Sequence, residues 1–384
     1  MNAPESVMVV AGTRPEFVKL APVVDALERS DRFETLLVHS GQHYDELLSE
    51  RLRESVSLPD PDVHLGVGSA SHAEQTGRLI TAIGELLEEH EPTYTVAQGD
   101  TNTVLAAAIA ASKRPTTFCH VEAGLRSGDR EMPEETNRVL ADHVEGLSFA
   151  PTEEAAENLR NEGVTEDVYV TGNTVVDACR DNLAEARDSS DVLDRFGVRP
   201  EEYVVATIHR PRNVDDPARL RRIVSALEDA PVPVIFPAHP RTEEALRRAG
   251  HGSGGSLRVV DPLEYLDFLR LLDGATAVVT DSGGVQEEAS LLSVPCLTVR
   301  PNTERPETVE AGVNVLVEPD AIGGELRSLV YDPDRRAAMT GARDLYGDGR
   351  AGERIVRLLA HRLDHEEPEL DADAVEEVVE SPAE

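Results

Sequence analysis

The chain predicts an α/β protein built from two Rossmann-like, doubly wound units, and three observations carry that prediction. Apolar strand-like runs alternate with amphipathic helix patterns over nearly the whole length. The alternation breaks once, at the polar, interrupted stretch 186–202, and then restarts. The chain has 384 residues, enough for two domains of ordinary size.

In order, SVMVVAG (6–12) reads as a first strand. PEFVKLAPVVDALERS (15–30) follows as a helix with Phe17, Leu20, Val24 and Leu27 on one stripe. TLLVHS, TYTVAQG, TTFCHVEA, GLSFAP and DVYVTGN continue as strands. TNTVLAAAIAASKR and TEEAAENLRNEG are helices between them. Residues 1–186 are therefore expected to form the first unit. After the break, YVVATIH, PVIFPAH, LRVVDP, ATAVVTDS, CLTVR and VNVLVEP give a second unit over 203–345. ERIVRLLAHRLDHEE supplies a final helix, placed at 346–366 and expected to cross back to the first unit. Residues 367–384 are acidic with little apolar content, the composition of a disordered tail. In such an architecture two units face a central cleft at the strand C-terminal ends, where ligands bind.

Composition narrows the function classes. Acidic residues number 73 against 37 basic ones, a net charge of −36, which argues against nucleic acid or an anionic membrane as the main partner. Lysine occurs only at Lys19 and Lys113. That bias predicts a halophilic protein, because a Debye length of about 3 Å near 1 M salt screens self-repulsion. No run approaches a membrane span and no basic-then-apolar leader opens the chain. Cys119, Cys179 and Cys296 are far apart, with neither metal-ligand spacing nor a disulfide framework, so a reduced cytoplasmic setting is expected.

Polar clusters sit at the predicted strand ends of both halves. AGTRPEFVK places Arg14, Glu16 and Lys19 beside a helix start, and QGDTNT places Asp100 where an N-cap residue would also stand. CHVEAGLRSGDREMPEETNR brings His120 and Glu122 to one strand face by alternation. It also puts Glu134 and Arg138 one helical turn apart, the spacing of an ordinary ion pair. In the second half, TIHRPRN carries His209 and Arg210, and AHPRT carries His239 and Arg241. TDSGGVQEEA is the hardest stretch to reconcile. Ser282-Gly283-Gly284 after a strand suits a phosphate at a helix N-terminus, yet Glu287 and Glu288 follow at once. Neither a dinucleotide fingerprint nor a P-loop is present, and the histidines lack metal-ligand spacing. Cations on one side and carboxylates on the other suit an anionic leaving group joined to a cation-like carbon.

Taken in order, GTRPE, GQH, GDTNT, HVEAGLRS, PEETNR, TGNTVVDA, HR, DSGGVQEEA and TERPE resemble the non-hydrolysing UDP-N-acetylglucosamine 2-epimerase family over residues 7–360. The resemblance implies the two-domain glycosyltransferase-B architecture and a homodimer. It implies interconversion of UDP-N-acetylglucosamine and UDP-N-acetylmannosamine with no NAD, metal or other cofactor, for use in polysaccharide biosynthesis. Asp100, Glu122 and Glu134 match the catalytic carboxylates, His209 the catalytic histidine, and Arg138 their helix partner. Ser282, Gly283 and Gly284 match the diphosphate cradle and Glu288 the reader of the ribose hydroxyls, which resolves the apparent conflict at 280–290. Arg14, Lys19 and Arg305 match positions around the nucleotide or its phosphates, and Phe268 a position near the uracil. Gln42, His43, Arg210 and His239 match segments that in the family hold a second, activating substrate molecule. There the chain departs from the bacterial pattern, reading His209-Arg210-Pro211-Arg212-Asn213, and Tyr44-Asp45 after Gln42-His43. The catalytic set shows no departure. Rival readings are a retaining glycosyltransferase of the same architecture, a hydrolysing 2-epimerase, and a nucleotide-sugar-binding module without catalysis.

Overall fold

The computed structural model describes residues 3–42, 58–144, 146–250, 252–341 and 344–364. His43 and the acidic C-terminal stretch lie outside them. Two compact units divide the chain: residues up to Ala178 together with those from Tyr346 onward form unit 1, and Cys179–Leu345 form unit 2.

Unit 1 holds seven strands: β1 (Glu5–Ala11), β2 (Phe33–His39), β3 (Val63–His64), β4 (Tyr94–Gln98), β5 (Thr117–Val121), β6 (Gly146–Ala150) and β7 (Val168–Val170). They form one sheet in the order β3-β2-β1-β4-β5-β6-β7, and every pairing is parallel. A parallel sheet is covered on both faces, so its strands are apolar without alternation. β1 shows this, with Val7 to Ala11 all removed from solvent. One core layer gathers Met8, Val10, Leu79, Ile83 and the alanine-rich helix Asn102–Ala111, whose small side chains let it lie close to the sheet.

The last helix, Ala351–Asp364, belongs to unit 1 and packs on the helix Arg14–Glu28. A Cβ at Gly352 would stand 2.6 Å from the Pro22 carbonyl oxygen, so only glycine permits that approach. Gly352 N donates to Asp177 (2.9 Å), Tyr94 donates to the Leu359 carbonyl (3.1 Å), and Arg32 forks onto Asp364 at 2.7 and 2.8 Å.

Unit 2 carries β8 (Val204–Thr207), β9 (Val234–Pro237), β10 (Leu257–Val260), β11 (Ala277–Thr280), β12 (Cys296–Thr298) and β13 (Asn314–Leu316). Its sheet order is β10-β9-β8-β11-β12-β13, again all parallel. Apolar clusters around Leu220, Ile223 and Leu326 and around Leu271, Val278 and Ala289 contribute its core.

The polar stretch 186–202 is more ordered than a linker. The helix Thr174–Ser189 runs through its beginning, and a short helix, Val192–Phe196, buries Val192 and Leu193 against Tyr203 and Leu271. Those two apolar residues in a polar run are an anchor the surrounding composition obscured. Among the described residues no helix is long and apolar enough to cross a membrane.

Candidate functional site

Each sheet order reverses once, between β1 and β4 in unit 1 and between β8 and β11 in unit 2. Doubly wound sheets bind ligands outside the strand C-termini at such a reversal. The GTRPE and GDTNT loops follow β1 and β4, and His209-Arg210 and Asp281-Ser282-Gly283-Gly284 follow β8 and β11. Four of the clusters read from sequence therefore stand at the two switch points.

In unit 1 the turn after β1 is tight: a Cβ on Gly12 would meet Thr103 Oγ1 at 2.3 Å and Ser40 Oγ at 2.4 Å. Glu16, buried, closes it by accepting from Gly12 N (2.8 Å), Thr13 N (2.7 Å) and Thr101 Oγ1 (2.6 Å). Burial pushes its carboxyl up to about 7 in spite of those donors. Thr101, not Asp100, caps the helix Asn102–Ala111, accepting from Thr103 N at 3.2 Å. The Asp100 carboxylate, relieved of capping, binds Arg138.

Arg138 is 3 % exposed, and it also pairs with Glu135 at 2.7 Å. The pairing is thus i,i+3 with Glu135 rather than i,i+4 with Glu134. Glu135 also accepts from Ser127 N, Ser127 Oγ and Gly128 N, so it organises the preceding loop. The side chain of Glu134, part-exposed, makes no hydrogen bond or ion pair with a described residue. The consecutive pair Glu134-Glu135 is divided by burial, which the sequence does not reveal.

Glu122 lies one residue past β5 with φ +69, a left-handed conformation costly for a residue with a side chain. The strand alternation that would set it beside His120 no longer governs it. Its carboxylate is 8 % exposed as a residue and receives Lys19 Nζ at 2.8 and 3.1 Å, Gln98 Nε2 at 3.3 Å and Asn173 Nδ2 at 3.5 Å. Lys19 is thereby placed against a carboxylate. Gln42 spends its side-chain oxygen on Thr103 N (3.0 Å) and Thr103 Oγ1 (2.8 Å), bracing the same helix start. Arg14 is part-buried at the opening of the helix Arg14–Glu28.

In unit 2 the residue that the sequence reading missed is Asp281, which is fully buried. It accepts from His209 N (3.0 and 3.2 Å), Arg210 N (3.0 Å) and Asn213 Nδ2 (2.9 Å), locking the loop after β8 to the end of β11. An apolar strand run ending in an acid before Ser-Gly-Gly was the available signal. The His209 ring stays 53 % exposed, its Nε2 3.6 Å from Asp281 Oδ1. Arg210 donates to the Asp281 carbonyl (2.8 Å) and to Glu304 Oε1 (3.0 Å), and Arg300 reaches the other Glu304 oxygen at 2.6 Å. His239 is the N-cap of the helix Pro240–Arg248, accepting from Arg241 N.

Ser282 precedes the helix Gly283–Leu291 without a side-chain cap. The first amides of a helix have no intrahelical partner and suit an anion. A Cβ on Gly283 would stand 2.9 Å from Glu304 Oε1, whereas the space beyond Gly284 is open. Glu287 is fully buried against Arg305, and Glu288 is buried one residue on. Phe268, on the helix Tyr265–Asp273, packs partly buried against the unit 2 core. Among the described residues no three of His, Cys, Asp or Glu group in a way that could hold a metal ion.

Residues 25–360 match the family described as UDP-N-acetylglucosamine 2-epimerase. The chain is 43% identical over 365 residues to the UDP-N-acetylglucosamine 2-epimerase of Methanocaldococcus jannaschii, covering 92% of this chain and 98% of that one. It is 36% identical over 363 residues to a Pseudomonas aeruginosa UDP-2,3-diacetamido-2,3-dideoxy-D-glucuronate 2-epimerase, covering 92% and 99%. A crystal structure of the Methanocaldococcus jannaschii enzyme in complex with UDP-GlcNAc and UDP superposes with a TM-score of 0.82 at 42% identity, covering 93% of this chain and 99% of that one. The α/β fold with two parallel sheets is that of these relatives, and the chain belongs to the UDP-N-acetylglucosamine 2-epimerase family.

Proposed function

We propose that the protein interconverts UDP-N-acetylglucosamine and UDP-N-acetylmannosamine without hydrolysis. Unit 2 supplies recognition of the uridine diphosphate: the helix-opening segment Ser282-Gly283-Gly284 takes the diphosphate, Glu288 the ribose hydroxyls, and Phe268 the uracil. The acid–base groups are Asp100, Glu122 and Glu134 of unit 1, with Arg138 as partner, and the catalytic histidine is His209 of unit 2.

Inverting C2 without a hydride carrier requires removing a weakly acidic proton. As the C1–O bond to UDP breaks, C1 gains oxocarbenium character and the C2–H bond is acidified. A base takes that proton, leaving 2-acetamidoglucal and UDP. The reverse step delivers a proton to the opposite face of C2 while a UDP oxygen re-forms the bond to C1. Carboxylates stabilise the cationic carbon and exchange the protons.

The observation that carries this reading is Glu122, an acid held in strained backbone among Lys19, Gln98 and Asn173. Strain of that kind costs about 1–3 kcal/mol and clusters at functional sites. An isolated surface pair would not require it.

Proton NMR of UDP-N-acetylglucosamine with the protein in D₂O and molar KCl tests the proposal. UDP-N-acetylmannosamine carrying deuterium at C2 is the expected product. Free UDP with free N-acetylmannosamine would instead establish hydrolysis. Turnover only of a 2,3-diacetamido sugar nucleotide would move the substrate toward that of the Pseudomonas relative.

The remaining expectations belong to the same proposal: a homodimer in a salty cytoplasm, making a precursor of a surface polysaccharide. With 73 acids and two lysines, the chain needs screening to fold stably. Full stability in dilute, salt-free buffer would end the halophilic reading.

A further inference from the structure

Two residues before Glu122, β5 carries a histidine that none of these steps uses. His120 is 1 % exposed and stacks on Phe118, with ring centroids 5.9 Å apart. Its Nδ1 lies 2.6 Å from Asp142 Oδ1, and its Nε2 lies 2.8 Å from the carbonyl oxygen of Gly99. A carbonyl and a carboxylate can only accept, and a neutral imidazole has one N–H. Both contacts are hydrogen bonds only if the ring is an imidazolium.

The charges around the ring fit that state. Asp142, on the helix Pro133–Asp142, is itself buried, with its second oxygen on Arg126 Nη1 at 2.7 Å. Arg126 continues to Glu162 at 2.7 Å. Burial alone would drive His120 toward the neutral form; the Asp142 charge and hydrogen bond and the Gly99 carbonyl outweigh it and raise its pKa. Burial likewise opposes ionisation of Asp142, but His120 and Arg126 hold its carboxyl below the usual range.

The contacts lead to both acid-bearing turns. Gly99 has φ +85 and donates its N–H to Val121 O at 3.1 Å, while its carbonyl goes to His120. Asp100 is the next residue, its own carbonyl held by Asn137 Nδ2 at 2.9 Å and its carboxylate by Arg138. On the other side, Asp142 Oδ2 accepts from Gly124 N at 3.2 Å, in the turn that follows Glu122. One buried ion pair therefore braces the turn before Asp100 and the turn after Glu122.

We propose that His120, paired with Asp142, is a positioning residue for the reaction: it clamps the Gly99 carbonyl and so fixes the Asp100 carboxylate, while Asp142 fixes the turn behind Glu122. The inference rests on the reading of Asp100 and Glu122 as acid–base groups.

Two side chains separate the contacts. In His120→Asn the amide can replace Nδ1 toward Asp142 but cannot reach Gly99. In His120→Gln the longer amide can replace Nε2. The Asn variant is expected to lower kcat by about 10-fold or more, since small misplacements of catalytic groups have effects of that order. KM and the Kd for UDP should stay within about 2-fold, as positioning rather than binding is lost. The Gln variant should recover most of kcat. Unchanged kcat in His120→Asn, or equal losses of kcat, KM and UDP affinity in both variants, would overturn the proposal. Nitrogen-15 spectra of the histidine rings give an independent reading. Two protonated nitrogens on His120 at neutral pH, lost in Asp142→Asn, support the clamp, and a singly protonated ring in the wild type refutes it. A wild type that does not epimerise overturns the role of Asp100, while the ring spectra still report whether the clamp exists.

Discussion

Glu16 offers a prediction whose sign and size both follow from its surroundings. Its carboxyl is buried and raised from 4.5 to about 7. Between those values the folded chain holds a proton that the unfolded chain has released. Stability contributed by the protonated acid is therefore complete below the unfolded pKa and is lost as pH rises through the folded one. Linkage with those two values gives a loss of about 2.5 kcal/mol between about pH 5 and about pH 8. Glu16→Gln removes the titration while keeping the shape. Its carbonyl oxygen can take Gly12 N and Thr13 N in place of Oε2, and its amide can donate to Thr101 Oγ1, which has a lone pair to spare. Urea unfolding of both proteins at one KCl concentration across that pH range measures the effect, and tyrosine emission is readable because the chain has no tryptophan. Contributions shared by the two proteins cancel in the difference. The wild type should lose stability relative to the variant as pH rises. A difference independent of pH, or one of opposite slope, would show that the three donors keep Glu16 ionised throughout and that burial does not dominate.

Other substitutions probe the candidate site residues of both units. Asp100→Asn, Glu122→Gln and Glu134→Gln are each expected to lower turnover by at least about 10²-fold, the scale for losing an acid or base, with UDP affinity retained in a calorimetric titration. Normal turnover in all three would reject the assignment. Gly283→Ala forces a methyl to 2.9 Å from Glu304 Oε1, an oxygen already fixed by Arg210, and should cost about 1–3 kcal/mol of unit 2 stability in urea. Gly284→Ala points a methyl into open space. It should leave stability unchanged yet weaken UDP by about 10-fold, a modest fraction of a phosphate site; equal affinity would place the diphosphate elsewhere. Asp281→Ala strands the donors His209 N, Arg210 N and Asn213 Nδ2 and should cost at least about 3 kcal/mol, read from the same unfolding curves.

Much of this protein is written in local sequence. Val7 to Ala11, Val204 to Ala206 and Ala277 to Val279 are apolar runs with no alternation, so they declare buried parallel strands. Polar residues and glycines immediately after such runs mark strand C-termini, which is why the loops at Gly12, Asp100, His209 and Ser282 could be singled out without coordinates. The net charge of −36 and the scarcity of lysine are likewise properties of the sequence alone.

Tertiary structure decided the partners. Glu134 and Glu135 are adjacent and chemically identical, yet only Glu135 is buried on Arg138, because helix geometry turns one inward and leaves the other part-exposed. Asp100 and Thr101 both qualify as caps by type; the backbone gives the cap to Thr101 and the carboxylate of Asp100 to a helix 38 residues away. Lys19 meets Glu122 across 103 residues, and Asp281 gathers donors from 68 to 72 residues earlier. Such pairings depend on which strand lies beside which in the sheet. A short stretch of sequence fixes burial pattern and turn chemistry, but it holds no information about a neighbour supplied by a distant one. The ion pairs and hydrogen bonds that set the charge and direction of each acid are of that second kind.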